Sequence, residues 1–212
     1  MKLYLDSADV DAVAPLLSTW LFAGVTTNPL ILSRAGLGQS DVAELVPALA
    51  ALGARRLFVQ TTSDSVDDLV AEAHEIAALG ERVVPKIPAT RSGFTATRLL
   101  SDSGVPILVT AVYHARQALL AHAAGAWGIA PYVGRMTDAG RDGLAQVQRM
   151  QQMLEQTGTR VLAASIRSTD IVCELAGLGV HSVTVSTAVA NELFEDELTA
   201  RAVDEFAAVT RA

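Results

Sequence analysis

Short apolar runs alternate with longer amphipathic ones along the whole chain. The apolar runs fall at 3–5, 24–27, 56–60, 82–87, 107–110, 127–132, 160–165 and 182–185, three to six residues each. Several are rich in β-branched residues, and some are bounded by turn signals such as Asn28-Pro29 and Gly104-Val105-Pro106, so they read as buried strands. Between them, apolar residues recur with helical spacing at 9–20, 40–51, 65–79, 91–101, 115–124, 140–157 and 168–178, and a last stretch, 188–211, is mostly helix. Asp9 or Ser7 suits the start of the first helix and Ser40-Asp41 the start of the second. Strands alternating with helices at a spacing of roughly 20–30 residues are parallel βαβ units. Eight of them in one α/β chain predict a single (β/α)8 TIM barrel over residues 1–212, with 188–212 as a helical tail. An open doubly wound sheet is the alternative, weakened because the chain has no Gly-x-Gly-x-x-Gly turn and no Walker loop.

Composition narrows the function classes. Half of the residues are hydrophobic, enough for one large core, and the formal net charge of -7 argues against nucleic acid or an anionic membrane as partner. A small phosphorylated ligand needs only a few placed arginines and stays open. The one cysteine, Cys173, permits no intramolecular disulfide, which fits a reducing, cytoplasmic setting, and it reads as a small core residue. Met1-Lys2-Leu3-Tyr4-Leu5-Asp6 turns acidic too soon for a signal peptide, and no apolar run has the length of a membrane span. The four histidines show no metal-ligand spacing. His114 follows strand five and could reach a site there, although a surface role fits it better.

Active sites of such barrels lie at the C-terminal ends of the strands. Those ends carry Asp6; Thr26, Thr27 and Asn28; Gln60; Lys86; Thr110; Tyr132 and Arg135; Ser165 and Arg167; and, with less distinction, Ser186 and Thr187. Lys86 is the one charge inside the apolar run Val83-Val84-Pro85-Lys86-Ile87-Pro88-Ala89. A buried amine is pushed toward its neutral, nucleophilic form, which attacks carbonyls. Each other residue alone could be an ordinary turn, cap or surface ion-pair residue. Their convergence around a lysine is what points to Schiff-base chemistry. Asp6, and Tyr132 with a water held by Gln60 and Thr110, are the available proton shuttles. Asn28, Thr26 and Ser165 suit sugar hydroxyls, and the guanidinium forks of Arg135 and Arg167 suit a phosphate.

The motifs Leu3-Tyr4-Leu5-Asp6-Ser7-Ala8, Gly24-Val25-Thr26-Thr27-Asn28-Pro29, Lys86-Ile87-Pro88, Thr110-Ala111-Val112-Tyr113, Ala130-Pro131-Tyr132-Val133-x-Arg135 and Val161-Leu162-Ala163-Ala164-Ser165-x-Arg167 resemble, in order, the transaldolase family. The likeness is strongest to its short subgroup of fructose-6-phosphate aldolases and small transaldolases. It implies a (β/α)8 barrel, class I aldolase chemistry on Lys86 and no metal or other cofactor. It also implies a homo-oligomer, pentamer or decamer, with the C-terminal helix packed on a neighbour. By position, Asp6 resembles the acid/base carboxylate, Asn28 and Thr26 substrate-hydroxyl contacts, and Arg135, Ser165 and Arg167 the phosphate and substrate positions. The third-strand residue resembles glutamate in transaldolases and glutamine in the aldolases; here it is Gln60. The aromatic after strand six resembles phenylalanine in larger transaldolases and tyrosine in the aldolases; here it is Tyr132. Pro85 stands where the subgroup usually has valine, and Gly134 where asparagine is common, an expected loss of one hydrogen bond.

The leading expectation is therefore an aldolase cleaving fructose 6-phosphate to dihydroxyacetone and glyceraldehyde 3-phosphate. A transaldolase passing dihydroxyacetone from fructose 6-phosphate to erythrose 4-phosphate is the second. A sugar-phosphate-binding barrel without turnover is the third.

Overall fold

The computed structural model describes residues 1–210; Arg211 and Ala212, the end of the expected tail, lie outside them. Among the described residues, eight parallel strands close into one barrel in sequence order, with β8 returning to β1. They are β1 Lys2–Asp6, β2 Phe22–Thr26, β3 Leu57–Gln60, β4 Val83–Pro88, β5 Leu108–Val112, β6 Gly128–Pro131, β7 Arg160–Ile166 and β8 Ser182–Val185. The helices are α1 Val10–Leu17, α2 Pro29–Arg34, α3 Val42–Ala51, α4 Val66–Ala78, α5 Arg91–Asp102, α6 Ala115–Ala123, α7 Val133–Asp138, α8 Gly143–Leu154, α9 Thr169–Gly177, α10 Thr187–Glu192 and α11 Glu197–Thr210.

Every strand predicted from the hydrophobic pattern is present, and the single-barrel fold class holds. Most helices are shorter than the periodicity suggests, whereas α5 runs one residue past the expected 91–101. The first ends at Leu17, with Asp9 rather than Ser7 as its cap, accepting from the amide of Ala12 at 3.0 Å. The stretch 140–157 contributes only α8, capped by Asp142. The tail divides into α10 and α11. Two helices, α2 and α7, were not anticipated. Each has six residues, less than two turns, too short to show a periodic face.

Cys173 is exposed, contrary to the core placement expected for it. The inward face of α9 is made by Val172 and Leu175, and one residue past Val172 the helix has turned about 100° toward solvent.

The barrel has two apolar layers. Leu5, Val25, Val59, Val109, Ile129, Val161 and Val183 face outward and pack under the helices. Tyr4, Phe58, Val84, Leu108, Ala130 and Leu162, each from a different strand, form a separate interior cluster. Side chains alternate along a strand, so the residues two positions further on also point inward. Those residues are Asp6, Gln60, Lys86, Thr110, Tyr132 and Ala164. The polar layer is thus a register consequence of the apolar one beneath it.

Pro85 is accommodated within this register. It pairs with Val59 of β3, whereas the β4–β5 ladder begins only at Lys86, opposite Leu108. The amide that proline lacks falls before that ladder starts, so the strand stays paired on both sides at Lys86. At the other end, Gly24 (φ +155°) lets β2 close on the chain entering β3: a Cβ there would lie 1.8 Å from the Arg56 carbonyl oxygen.

Candidate active site

A cavity of about 230 Å³ opens at the C-terminal ends of the strands. Asp6, Asn28, Arg34, Lys86, Tyr132, Arg135, Ser165 and Arg167 line it. Lys86 is only 3% exposed, and its Nζ donates to the main-chain carbonyl of Thr27 at 2.7 Å. That partner is neutral, so it satisfies one N–H without offsetting the cost of burying a charge. Desolvation accordingly lowers the Lys86 pKa from 10.5 to about 8, against an opposing pull from Asp6 and with a small further lowering by Arg135.

Asp6 ends β1 directly opposite Thr26 on β2. The Thr26 hydroxyl donates to Asp6 Oδ1 at 2.5 Å and lies 2.7 Å from the Thr184 hydroxyl on β8. Burial pushes the Asp6 carboxyl up; Lys86 and the Thr26 hydrogen bond pull the other way. Both members of the Asp6–Lys86 pair are thus drawn toward neutrality, the state in which one is a nucleophile and the other a proton carrier. Tyr132 stands across the cavity with its hydroxyl 3.0 Å from that of Thr110. Burial raises its pKa as well, so the phenol keeps its proton.

The cationic wall is built by short elements. Asn28 accepts from the amides of Leu30 and Ile31, both at 3.0 Å, and so caps α2, with Pro29 in the first turn. Its carbonyl oxygen is spent on the cap, which leaves the amide NH2 for a ligand. Arg135, on α7, has its guanidinium 4.9 Å from the Tyr132 ring centroid. Arg167 lines the cavity from beyond β7 and pairs with Asp138 of α7 on the exposed side. Ser165 adopts φ +59°, at the irregularity where β7 shifts register against β8. Such strain is characteristic of functional strand ends. Gly134 is a packing requirement here: a Cβ would lie 2.5 Å from the Ser165 carbonyl oxygen and 2.7 Å from Arg167 Nε. The expectation of a merely lost hydrogen bond at this position is therefore incomplete.

Not every expected residue touches the cavity. Thr26 is buried and bonds Asp6 rather than lining the opening. Thr110 is buried and does not line the cavity; its hydroxyl meets that of Tyr132. Gln60 sits beside Lys86 in register but is not among the lining residues; its main-chain carbonyl accepts from Gln39 Nε2 at 3.3 Å. Ser186 caps α10, and Thr184 is the polar group that β8 turns inward. His114 caps α6, its Nδ1 accepting from the Arg116 amide, and does not line the cavity. Arg34 was not anticipated. Ile31 and Arg34, one turn apart on α2, line the cavity together with the cap Asn28, a signal readable only if Asn28-Pro29 is taken as a helix start rather than a turn. Among the described residues, no group of three or more His, Cys, Asp or Glu could hold a metal ion, and no helix is long and apolar enough to cross a membrane.

Comparison with known proteins places this geometry. In overall fold the chain is similar to a solved mandelate oxidase (TM-score 0.61, 16% identity, 89% of this chain and 66% of that one). It is likewise similar to a flavocytochrome B2 (TM-score 0.63, 12% identity, 88% and 56%). At such identities the likeness is one of barrel architecture alone. In sequence it is similar to a probable transaldolase of Methanococcus maripaludis, 34% identical over 210 residues, covering 98% of this chain and 96% of that one. A probable transaldolase of Ruegeria pomeroyi is 32% identical over 214 residues, covering 100% and 97%. The family described as Transaldolase/Fructose-6-phosphate aldolase matches residues 3–212. With a buried lysine at the end of its fourth strand and this match along nearly its full length, the chain belongs to the transaldolase/fructose-6-phosphate aldolase family.

Proposed function

We propose that the protein is a class I aldolase that cleaves fructose 6-phosphate to dihydroxyacetone and glyceraldehyde 3-phosphate. The observation that carries this reading is the buried Tyr132 hydroxyl, held 3.0 Å from Thr110 on the strand next to that of Lys86. Neutral Lys86 attacks the ketone carbon, and the carbinolamine loses water to give an iminium. Asp6 takes the proton of the hydroxyl on the fourth carbon, the bond between the third and fourth carbons breaks, and glyceraldehyde 3-phosphate leaves. The remaining electron pair forms an enamine on the three-carbon unit. Protonation of that enamine, with Tyr132 as donor through a water that Gln60 and Thr110 help to place, lets hydrolysis free dihydroxyacetone and restore the amine. Arg135 and Arg167, with Arg34 on the same cavity, suit the phosphate, and Asn28 and Ser165 the sugar hydroxyls. The imine on Lys86 is the only covalent aid invoked, with no metal or other cofactor.

A second reading has its own support. Transfer of the same three-carbon unit to erythrose 4-phosphate needs the same lysine and carboxylate, and the relatives above are named probable transaldolases. Incubation with fructose 6-phosphate alone separates the two. Continuous appearance of free dihydroxyacetone supports the aldolase, whereas three-carbon transfer with no release in the absence of an acceptor supports the transaldolase.

The same reading carries a cytoplasmic homo-oligomer, pentamer or decamer. Its support is α11, which buries none of its residues within the chain and leaves Leu198, Val203, Phe206 and Val209 each more than half exposed.

A further inference from the structure

The opposite end of the barrel holds a second concentration of charge that the carbonyl chemistry does not use. Lys2 opens β1, Arg55 and Arg56 precede β3, and Arg160 opens β7. Lys2, Arg55 and Arg56 line a cavity of about 400 Å³ together with Tyr4, and no carboxylate lines it. Arg56 and Arg160 both stand 4.9 Å from the indole centroid of Trp127. Beneath them, Trp127 packs on Phe58 at 5.5 Å and Phe58 on Tyr4 at 5.4 Å, which closes the barrel floor.

Neighbouring titratable groups register the same cations. Burial raises the Tyr4 phenol, while Arg56, Arg55 and Arg160 each pull it down. His181 is lowered first by burial, then by the charges of Lys2 and Arg160. Among the described residues, none of the ion pairs involves Lys2, Arg55, Arg56 or Arg160. Acidic residues outnumber basic ones 23 to 16 in this chain, so carboxylates to neutralise such a cluster are plentiful. Like charges gathered without them repel and destabilise the compact state. The aromatic floor accounts for Arg56 and Arg160 as stacking partners. It does not account for Lys2 and Arg55, both exposed at the mouth of a cavity in the size range of small-ligand sites.

We propose that this face of the barrel is a binding site for a small phosphate-bearing anion, seated among Lys2, Arg55 and Arg56, of which Arg56 also stacks on Trp127 and so couples the indole to the site. Guanidinium forks match phosphate oxygens in pairs, and lysine adds a compact point charge. A free inorganic anion and the phosphoryl group of a metabolite present the same chemistry to these residues.

The chain has two tryptophans, so Trp20→Phe leaves Trp127 as the sole indole reporter. In that background, emission is followed during titration with pyrophosphate, inorganic phosphate and glycerol phosphate, each against sodium chloride of matched ionic strength. The proposal predicts a saturable change beyond the chloride control that weakens as salt is added. Lys2→Gln with Arg55→Gln, which leaves the stack on Trp127 in place, is expected to weaken it by roughly tenfold or more. Arg135→Gln with Arg167→Gln, at the other end of the barrel, is expected to leave it unchanged. Tighter binding of glycerol phosphate assigns the site to a phosphorylated metabolite, and tighter binding of the inorganic anions to a free anion. A response no different from chloride would overturn the proposal, as would one that survives loss of Lys2 and Arg55 or disappears with Arg135 and Arg167.

Discussion

The Nζ of Lys86 on β4 donates to the main-chain carbonyl of Thr27, just past the end of β2, at 2.7 Å. Thr27 is itself fixed, its amide and hydroxyl both donating to the Phe58 carbonyl of β3, the strand between them. The amine is therefore held by a rigid neutral group and oriented toward the cavity, where desolvation outweighs the pull of Asp6 toward the protonated form. Reactivity of the lysine and its placement have one cause.

That cause has a cost to stability with a definite sign. The folded-state pKa of Lys86 is lowered to about 8 from 10.5, so the unfolded chain binds this proton more tightly. The penalty is fully present below about pH 8, shrinks as pH rises toward 10.5 and is absent above it. Lys86→Met, similar in volume, is expected to raise stability at neutral pH by roughly 2 kcal/mol, allowing for the unpaired Thr27 carbonyl. Chemical denaturation across this range is the check. A stabilisation that keeps its full neutral-pH size above pH 10.5 contradicts the assignment.

If Thr26 serves to position Asp6, its effect on the chemistry runs through that carboxyl. Its hydrogen bond lowers a carboxyl that burial has raised, so Thr26→Val is expected to raise the Asp6 pKa further. The acidic limb of kcat/KM then moves to higher pH, while KM for the donor changes little. A substrate contact would instead show as a raised KM with an unmoved pH profile.

Tyr132 decides the fate of the enamine in this account. Tyr132→Phe removes the hydroxyl paired with Thr110 and leaves the ring under Arg135. The ratio of dihydroxyacetone release to three-carbon transfer is expected to fall by roughly tenfold or more. Equal loss of both activities assigns Tyr132 to a step common to them.

Assembly through α11 is tested by charge. Phe206→Asp, placed on the exposed apolar face, is expected to dissociate the oligomer to smaller species in light scattering, because an unpaired carboxylate cannot be buried cheaply. An unchanged mass places the interface elsewhere.

The barrel was legible in the sequence because each strand is a compact apolar run, and Lys86 because it is the one charge inside such a run. The polar layer followed from reading strand ends. What was not legible depended on relations between strands or on very short elements. The Asp6–Thr26 bond requires the β1–β2 register, which the sequence of either strand alone does not carry. Arg34 was hidden because α2 has only six residues and Asn28-Pro29 also reads as a turn. On β8, Ser186 and Thr187 are the terminal polar residues in the sequence, yet alternation turns Thr184 inward and Ser186 caps α10. A small apolar residue in an amphipathic helix is expected to face the core, but Cys173 lies one position past the buried Val172 and is exposed.

The central claim, that Lys86 forms the imine, is tested most directly by reductive trapping. The protein is mixed with dihydroxyacetone and borohydride, digested, and mapped by mass spectrometry. The account predicts a stable three-carbon adduct on the peptide containing Lys86, faster to form as pH rises through about 8 and absent from Lys86→Met. An adduct on another lysine, or none on the wild-type chain, would contradict it.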